Sequence, residues 1–169
     1  MSMKLMLGAS LAVALLYGTP SFAQDKASQK FVKEAIEGNL AEVQMGQLAQ
    51  KNGNSDGVRS FGQMLEKDHA DAKQKATAAA NSLGMTPPTE PNSKQKKDYD
   101  RMSKMTGAKF DQQFVKDMIA DHKKDIRDYE KEASKNDAAG SYAKDALPTL
   151  RKHLDTAQSL AGAATTEKR

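Results

Sequence analysis

From residue 28 onward, apolar side chains return every three or four positions, the period of a helix that buries one face. Phe31, Ala35, Gly38, Glu42, Met45 and Ala49 fall on one line, and Val32, Ile36, Leu40, Val43 and Leu48 widen it into a broad stripe. The same spacing returns as Val58, Phe61, Leu65, His69, Ala72 and Ala76, then as Phe114, Met118, His122, Ile126, Tyr129 and Ala133. It returns a last time as Ala143, Leu147, Leu150, His153, Ala157 and Leu160. These stripes predict four amphipathic helices, over about 28–51, 57–83, 109–135 and 138–162. Nowhere does the chain alternate with the period of two that a half-buried strand requires.

The breaks between stripes set the topology. Asn52-Gly53-Asn54-Ser55-Asp56-Gly57 and Asn136-Asp137 are short and rich in residues that tolerate turns, so each joins two antiparallel helices. Residues 85–107 are different: Pro87, Pro88 and Pro91 open a long connection with room for one short helix near residues 94–105. A link of this length suits a crossover along the full bundle. Two hairpins with one such crossover predict an all-α, ferritin-like four-helix bundle occupying residues 24–163, followed by a frayed, disordered tail at 164–169. Pro148 lies inside the fourth stripe and is expected to kink or divide that helix, because proline lacks the N–H of an interior turn.

Ahead of the bundle, Lys4 is the only charge before Asp25, and Leu5 to Tyr17 is an almost unbroken apolar run ending in Gly18-Thr19-Pro20. Ser21 and Ala23 place small residues where a signal peptidase inspects the chain. Residues 1–23 are therefore expected to be a cleaved signal peptide and the mature protein to be periplasmic. The run is about 13 residues, short of the roughly 20 needed to span a bilayer, and no later stretch supplies a transmembrane segment.

Composition narrows the function more than it defines it. The chain has no cysteine, which excludes lipoprotein anchoring, disulfides and thiol redox chemistry. Of its 26 lysines and arginines, Lys4 goes with the leader, leaving 25 against 22 acids and a net charge of +3. Those charges are interspersed at helical spacings, and aromatic–basic interleaving is missing, so no nucleic-acid partner is expected. A weak, salt-sensitive association with anionic components of the envelope is consistent with the charge. No protein partner can be named. Neither a nucleophile triad nor a phosphate-binding glycine loop is present, and nothing in the residues points to an enzyme. Met102 and Met105, three apart in the connection, are soft ligands in type but more in keeping with core filling.

The chain has three histidines, and each falls on the inner stripe of a different predicted helix. With roughly a third of helical positions facing a core, chance gives that arrangement about one time in thirty. Depth adds to the pattern. His69 and His122 lie near the midpoints of their helices, and His153 and Glu42 within about one turn of theirs, at 1.5 Å per residue. Mid-length positions share a level whichever way a helix runs. Glu42, His69, His122 and His153 are thus candidate ligands of one transition-metal ion: zinc, iron, manganese or copper. Glu66, three before His69, is an additional candidate at the spacing di-iron bundles use. The equivalent positions before His122 and His153 are Ile119 and Leu150, so a complete two-metal oxidase centre is not expected. A metal-free layer, with the histidines bonded to acids such as Asp68, Asp121 or Asp125, is the alternative, and it implies a structural or interaction protein of the stressed envelope.

Four ordered motifs resemble a known family. They are Phe31-Val32 with Gly38-Asn39-Leu40-Ala41-Glu42-Val43-x-Met45-Gly46-x-Leu48-Ala49, then Phe61-Gly62-Gln63-Met64-Leu65-x-x-Asp68-His69. Gly107-x-x-Phe110-Asp111 with Asp121-His122 and Leu147-Pro148-x-Leu150-x-x-His153-Leu154 follow. Together they cover about residues 31–160 and resemble a family of exported bacterial proteins catalogued as domain of unknown function 4142, also described as outer-membrane proteins. The resemblance implies a ferritin-like bundle, an envelope location and metal binding by fold kinship; it implies no activity.

Overall fold

The computed structural model describes residues 22–166, with side chains over 26–163. Five helices follow one another: α1 (Phe22–Asn52), α2 (Asp56–Ser82), α3 (Ser93–Met102), α4 (Gly107–Glu132) and α5 (Ala138–Thr166). Among the described residues there is no strand, and no helix is long and apolar enough to cross a membrane. The expected leader lies outside the described residues except for its last two, which open α1. At the other end α5 runs through Thr166, into the stretch expected to fray, and residues 167–169 lie outside the described residues.

Each boundary has a local cause. Ser55 caps α2, its hydroxyl accepting from Val58 N at 3.3 Å, and Asp56 adds an acid to the positive end of the helix. Asp111 of α4 accepts from the backbone N–H groups of Asn54 and Ser55 at 2.8 and 2.9 Å, which pins this turn to the second hairpin. Gly84, at φ +66°, lets Met85 N return to Ala80 O and closes α2. A capping box, Asn92 with Gln95, starts α3. Asp137 ties the α4–α5 turn to α1, accepting from the Ser28 hydroxyl at 2.6 Å and from Gly140 N at 2.8 Å.

α1 packs along α2 and α4 along α5. The two hairpins join mainly through α2 and α5, and the crossover helix α3 lies against α1. The α1–α2 contact is closest at Gly46 and Gly62, where a Cβ on Gly62 would stand 2.6 Å from Gly46 O. Pro148 does not divide α5. Proline and Lys144, whose carbonyl loses its partner, are both on the exposed face, so water can take the free carbonyl while Ala143, Leu147 and Leu150 hold the inner face in the core.

The core is in two parts. One is built on Val32, Ile36, Ala76, Ala80, Tyr129, Tyr142, Ala143 and Leu147. The other gathers Leu48, Val58, Phe61, Leu65, Met102, Phe110, Phe114 and Met118. Met102 is thus apolar filling, completely buried. On every long helix a polar residue is buried between the two parts: Asn39 and Glu42 on α1, His69 on α2, His122 on α4 and His153 on α5. That interruption is the site.

Candidate metal centre

His69, His122 and His153 are 5, 1 and 0 % exposed, and one ring nitrogen from each lies within 4.8 Å of the other two. The ring centroids are 5.1 to 5.8 Å apart. The other nitrogen of each ring is held by an acceptor. Asn39 Nδ2 donates to Ala35 O and Tyr142 Oη at 2.8 and 2.9 Å, so its Oδ1 must accept the 2.8 Å bond from His69 Nδ1. His122 Nδ1 donates to Met118 O at 3.0 Å. His153 Nε2 donates to Asp68 Oδ2, also at 3.0 Å.

With those protons assigned, each neutral ring keeps one lone pair, on His69 Nε2, His122 Nε2 and His153 Nδ1. The last two are 3.2 Å apart, and His69 Nε2 is buried with no hydrogen-bond partner. Two imidazole lone pairs at that distance repel unless a proton or a cation lies between them. Protonation is disfavoured. Burial, then the other two histidines, hold His69 well below its ordinary range. Burial and His153 bring His122 down to about 4. Burial also lowers His153, opposed by the Asp68 carboxylate. Three neutral nitrogen donors, each with its second nitrogen fixed by an oxygen acceptor, match the chemistry that orients imidazoles for transition metals.

The two glutamates are not among the three mutually close ligand groups. Glu42 is buried and level with the histidines along α1, but its carboxylate is not in the set of mutually close ligand atoms. Burial and the nearby Asp121 and Asp125 raise its pKa well above the ordinary value. Glu66 points along the α1 face, accepting from Gln47 and Gln50 at 2.8 and 2.6 Å, and those bonds lower its pKa. Three residues before His69 on a helix is one turn, yet Glu66 is drawn to α1 because Gly46 brings that helix against its backbone. The other buried acids, Glu37 and Glu132, pair with Lys33 and Lys135. Among the described residues, no second carboxylate pair of the di-iron kind meets the histidines.

Three contributors lie outside the sequence reading of the site. Asn39 orients His69, and the Tyr129–Tyr142 pair, with hydroxyls 3.2 Å apart, continues that hydrogen-bonded chain into the core. A signal for Asn39 existed: an amide one turn from Ala35 and Glu42 on an otherwise apolar face. The carbonyl of Met118 had none, since a backbone group leaves no mark in the sequence.

The model of a protein family described as Domain of unknown function (DUF4142) matches residues 18–160. No curated protein and no solved structure matches the chain.

Proposed function

The chain belongs to the DUF4142 family, and we propose that it is an exported, periplasmic, ferritin-like bundle that binds one transition-metal ion through His69, His122 and His153, acting as a metal sensor, buffer or scavenger. The observation that carries this reading is the 3.2 Å approach of His122 Nε2 to His153 Nδ1, each ring anchored by its other nitrogen, with the unpartnered His69 Nε2 beside them. A tetrahedral ion with bonds of about 2.0–2.1 Å separates its ligands by about 3.3 Å, so the His122–His153 spacing already suits one. Imidazole donors favour zinc, copper, iron or manganese over magnesium or calcium. Export is supported by the apolar leader and its Ser21-Phe22-Ala23 junction, and the ferritin-like reading by two hairpins linked through a long crossover.

Elemental analysis of the mature protein purified from rich medium tests this: about one transition-metal ion per chain is expected, lost in His69→Ala. A wild-type protein free of metal, and unable to take it up from a titration, would overturn the reading.

One proton held between His122 Nε2 and His153 Nδ1 would complete a hydrogen-bonded run from Met118 to Asp68, and that contact favours a second reading, in which the layer ties α4, α5 and α2 together without an ion and the protein is a structural part of the envelope. Thermal melts separate the two. Under the first, added metal raises the midpoint of the wild type and not of His69→Ala; under the second, neither moves.

A further inference from the structure

His69 lines a cavity of about 740 Å³ that lies between α1, α4 and the crossover helix α3. Its wall passes from exposed Asp121 through half-buried Asp117 and Asp125 to buried Glu42 and His69, so one space leads from solvent to a ring of the histidine layer. His122 and His153 do not border it. Among the described residues, the buried side-chain atoms without a hydrogen-bond partner are Glu42 Oε2 and His69 Nε2, and both residues belong to this wall.

The chain as a whole is positive, yet the wall holds eight acids against five lysines and arginines. Arg101 takes up Asp117 at 3.0 Å, and Lys124 takes up Asp128 at 2.7 Å and stands 3.8 Å from Asp125; Asp121 and Glu42 join no ion pair among the described residues. An acidic cleft raises the local concentration of a cation, and it does so without the carboxylates having to meet at one point. His69 also borders a smaller cavity of about 130 Å³ with Asp71 and Asp145 on its wall. The larger and more acidic space is the one beneath α3.

We propose that this space is the path by which a transition-metal ion enters and leaves the histidine centre, passing Asp121, Asp125 and Glu42 in turn on its way to His69 Nε2. The inference rests on the histidine reading and adds to it the route and the residues that set its rate. It gives the crossover a task, since α3 forms the roof of the passage. Gly38 of α1 lies under that roof with no side chain, and a Cβ there would stand 4.0 Å from Gln95 Nε2, so a larger residue can enter the passage without a backbone clash. Narrowing a passage slows entry and release alike and leaves the affinity at its end unchanged.

Zinc(II) uptake by the metal-free mature protein is followed in stopped flow with a fluorescent zinc indicator, and the dissociation constant is measured separately by chelator competition. The wild-type association rate is expected to fall as salt rises, because screening weakens the acidic cleft; if the net positive charge governed the encounter, salt would speed it. Gly38→Phe is expected to slow association at least fivefold with the dissociation constant moved less than twofold. The double variant Asp121→Asn with Asp125→Asn is expected to slow association at least fivefold, and the pair Asp71→Asn with Asp145→Asn on the other cavity to leave it within twofold. Circular dichroism checks that each is folded, and the near-isosteric carboxylate variants keep the test decisive should Gly38→Phe not fold. A wild-type rate that rises with salt, an unchanged rate in Asp121→Asn with Asp125→Asn, or slowing by the Asp71 and Asp145 pair instead would each overturn the route while zinc bound at equilibrium leaves the histidine reading intact. A wild type that takes up no zinc at all would overturn both.

Discussion

Acidification should destabilise the metal-free protein through His122, and the size of the effect follows from its burial. The ring is 1 % exposed, and its pKa falls from the ordinary 6.5 to about 4 in the fold because a charged imidazolium is poorly solvated there and His153 stands beside it. The unfolded chain takes up the proton first. The stabilisation is therefore complete above pH 6.5 and lost as pH falls through about 4. Between pH 7 and pH 5 linkage gives a loss of about 2 kcal/mol, a sizeable part of the roughly 5–15 kcal/mol that holds a typical domain together. Glu42, and Asp125 raised to about 6 by burial, act with the opposite sign. Their contribution is present below their ordinary values and lost as pH rises through the raised ones. The whole-protein slope is a sum of these effects, so the measurement must be a difference. Urea unfolding with a chelator present, followed by circular dichroism at both pH values, should show the wild type losing about 2 kcal/mol more than His122→Gln. Equal losses in the two proteins would mean that the His122 ring can ionise freely in the fold, and the argument from its burial would fail.

Three further outcomes follow from the packing. Gly62→Val places a Cβ 2.6 Å from Gly46 O and 2.9 Å from Ala49 Cβ; the helices must separate, at a cost of about 1–3 kcal/mol or more in thermal or urea melts. Asn39→Leu removes the acceptor that fixes His69 Nδ1, so metal affinity in a chelator competition should drop by about 10- to 100-fold while the helical spectrum persists. Phe114, fully buried against Phe61 and Phe110, should cost about 3–5 kcal/mol as Phe114→Ala in urea melts.

The all-α architecture was legible because amphipathic periodicity is a property of the chain alone: a helix that must bury one face writes its stripe into the sequence. The stripes, the two short turns and the proline-rich link together lead to two hairpins and a crossover, which is the observed order of elements. Of the two outcomes expected at Pro148, a kink or a division, the division does not occur. The proline's missing N–H strands a carbonyl on the solvent side of α5, where water can replace the bond, so the helix continues.

The site divides along the same physical line. Stripe membership and depth along a helix are one-dimensional quantities, and they were sufficient to place three histidines, one each from α2, α4 and α5, in a common layer. Which way a side chain turns within that layer is not one-dimensional. Glu42 shares the level of the histidines and lines one cavity with His69, Asp121 and Asp125 beneath α3, and the position of that roof depends on how residues 85–107 cross the bundle. Glu66 keeps the expected spacing to His69, yet the contact of Gly46 with the α2 backbone brings Gln47 and Gln50 within its reach. For Glu66 a neighbouring helix decides the direction of the acid, and the periodicity of one helix cannot carry that information. The histidines were less exposed to this difficulty because a large ring on the midline of a helix stripe has little choice but the core, whereas a carboxylate swings toward whichever donor or cation its neighbours provide.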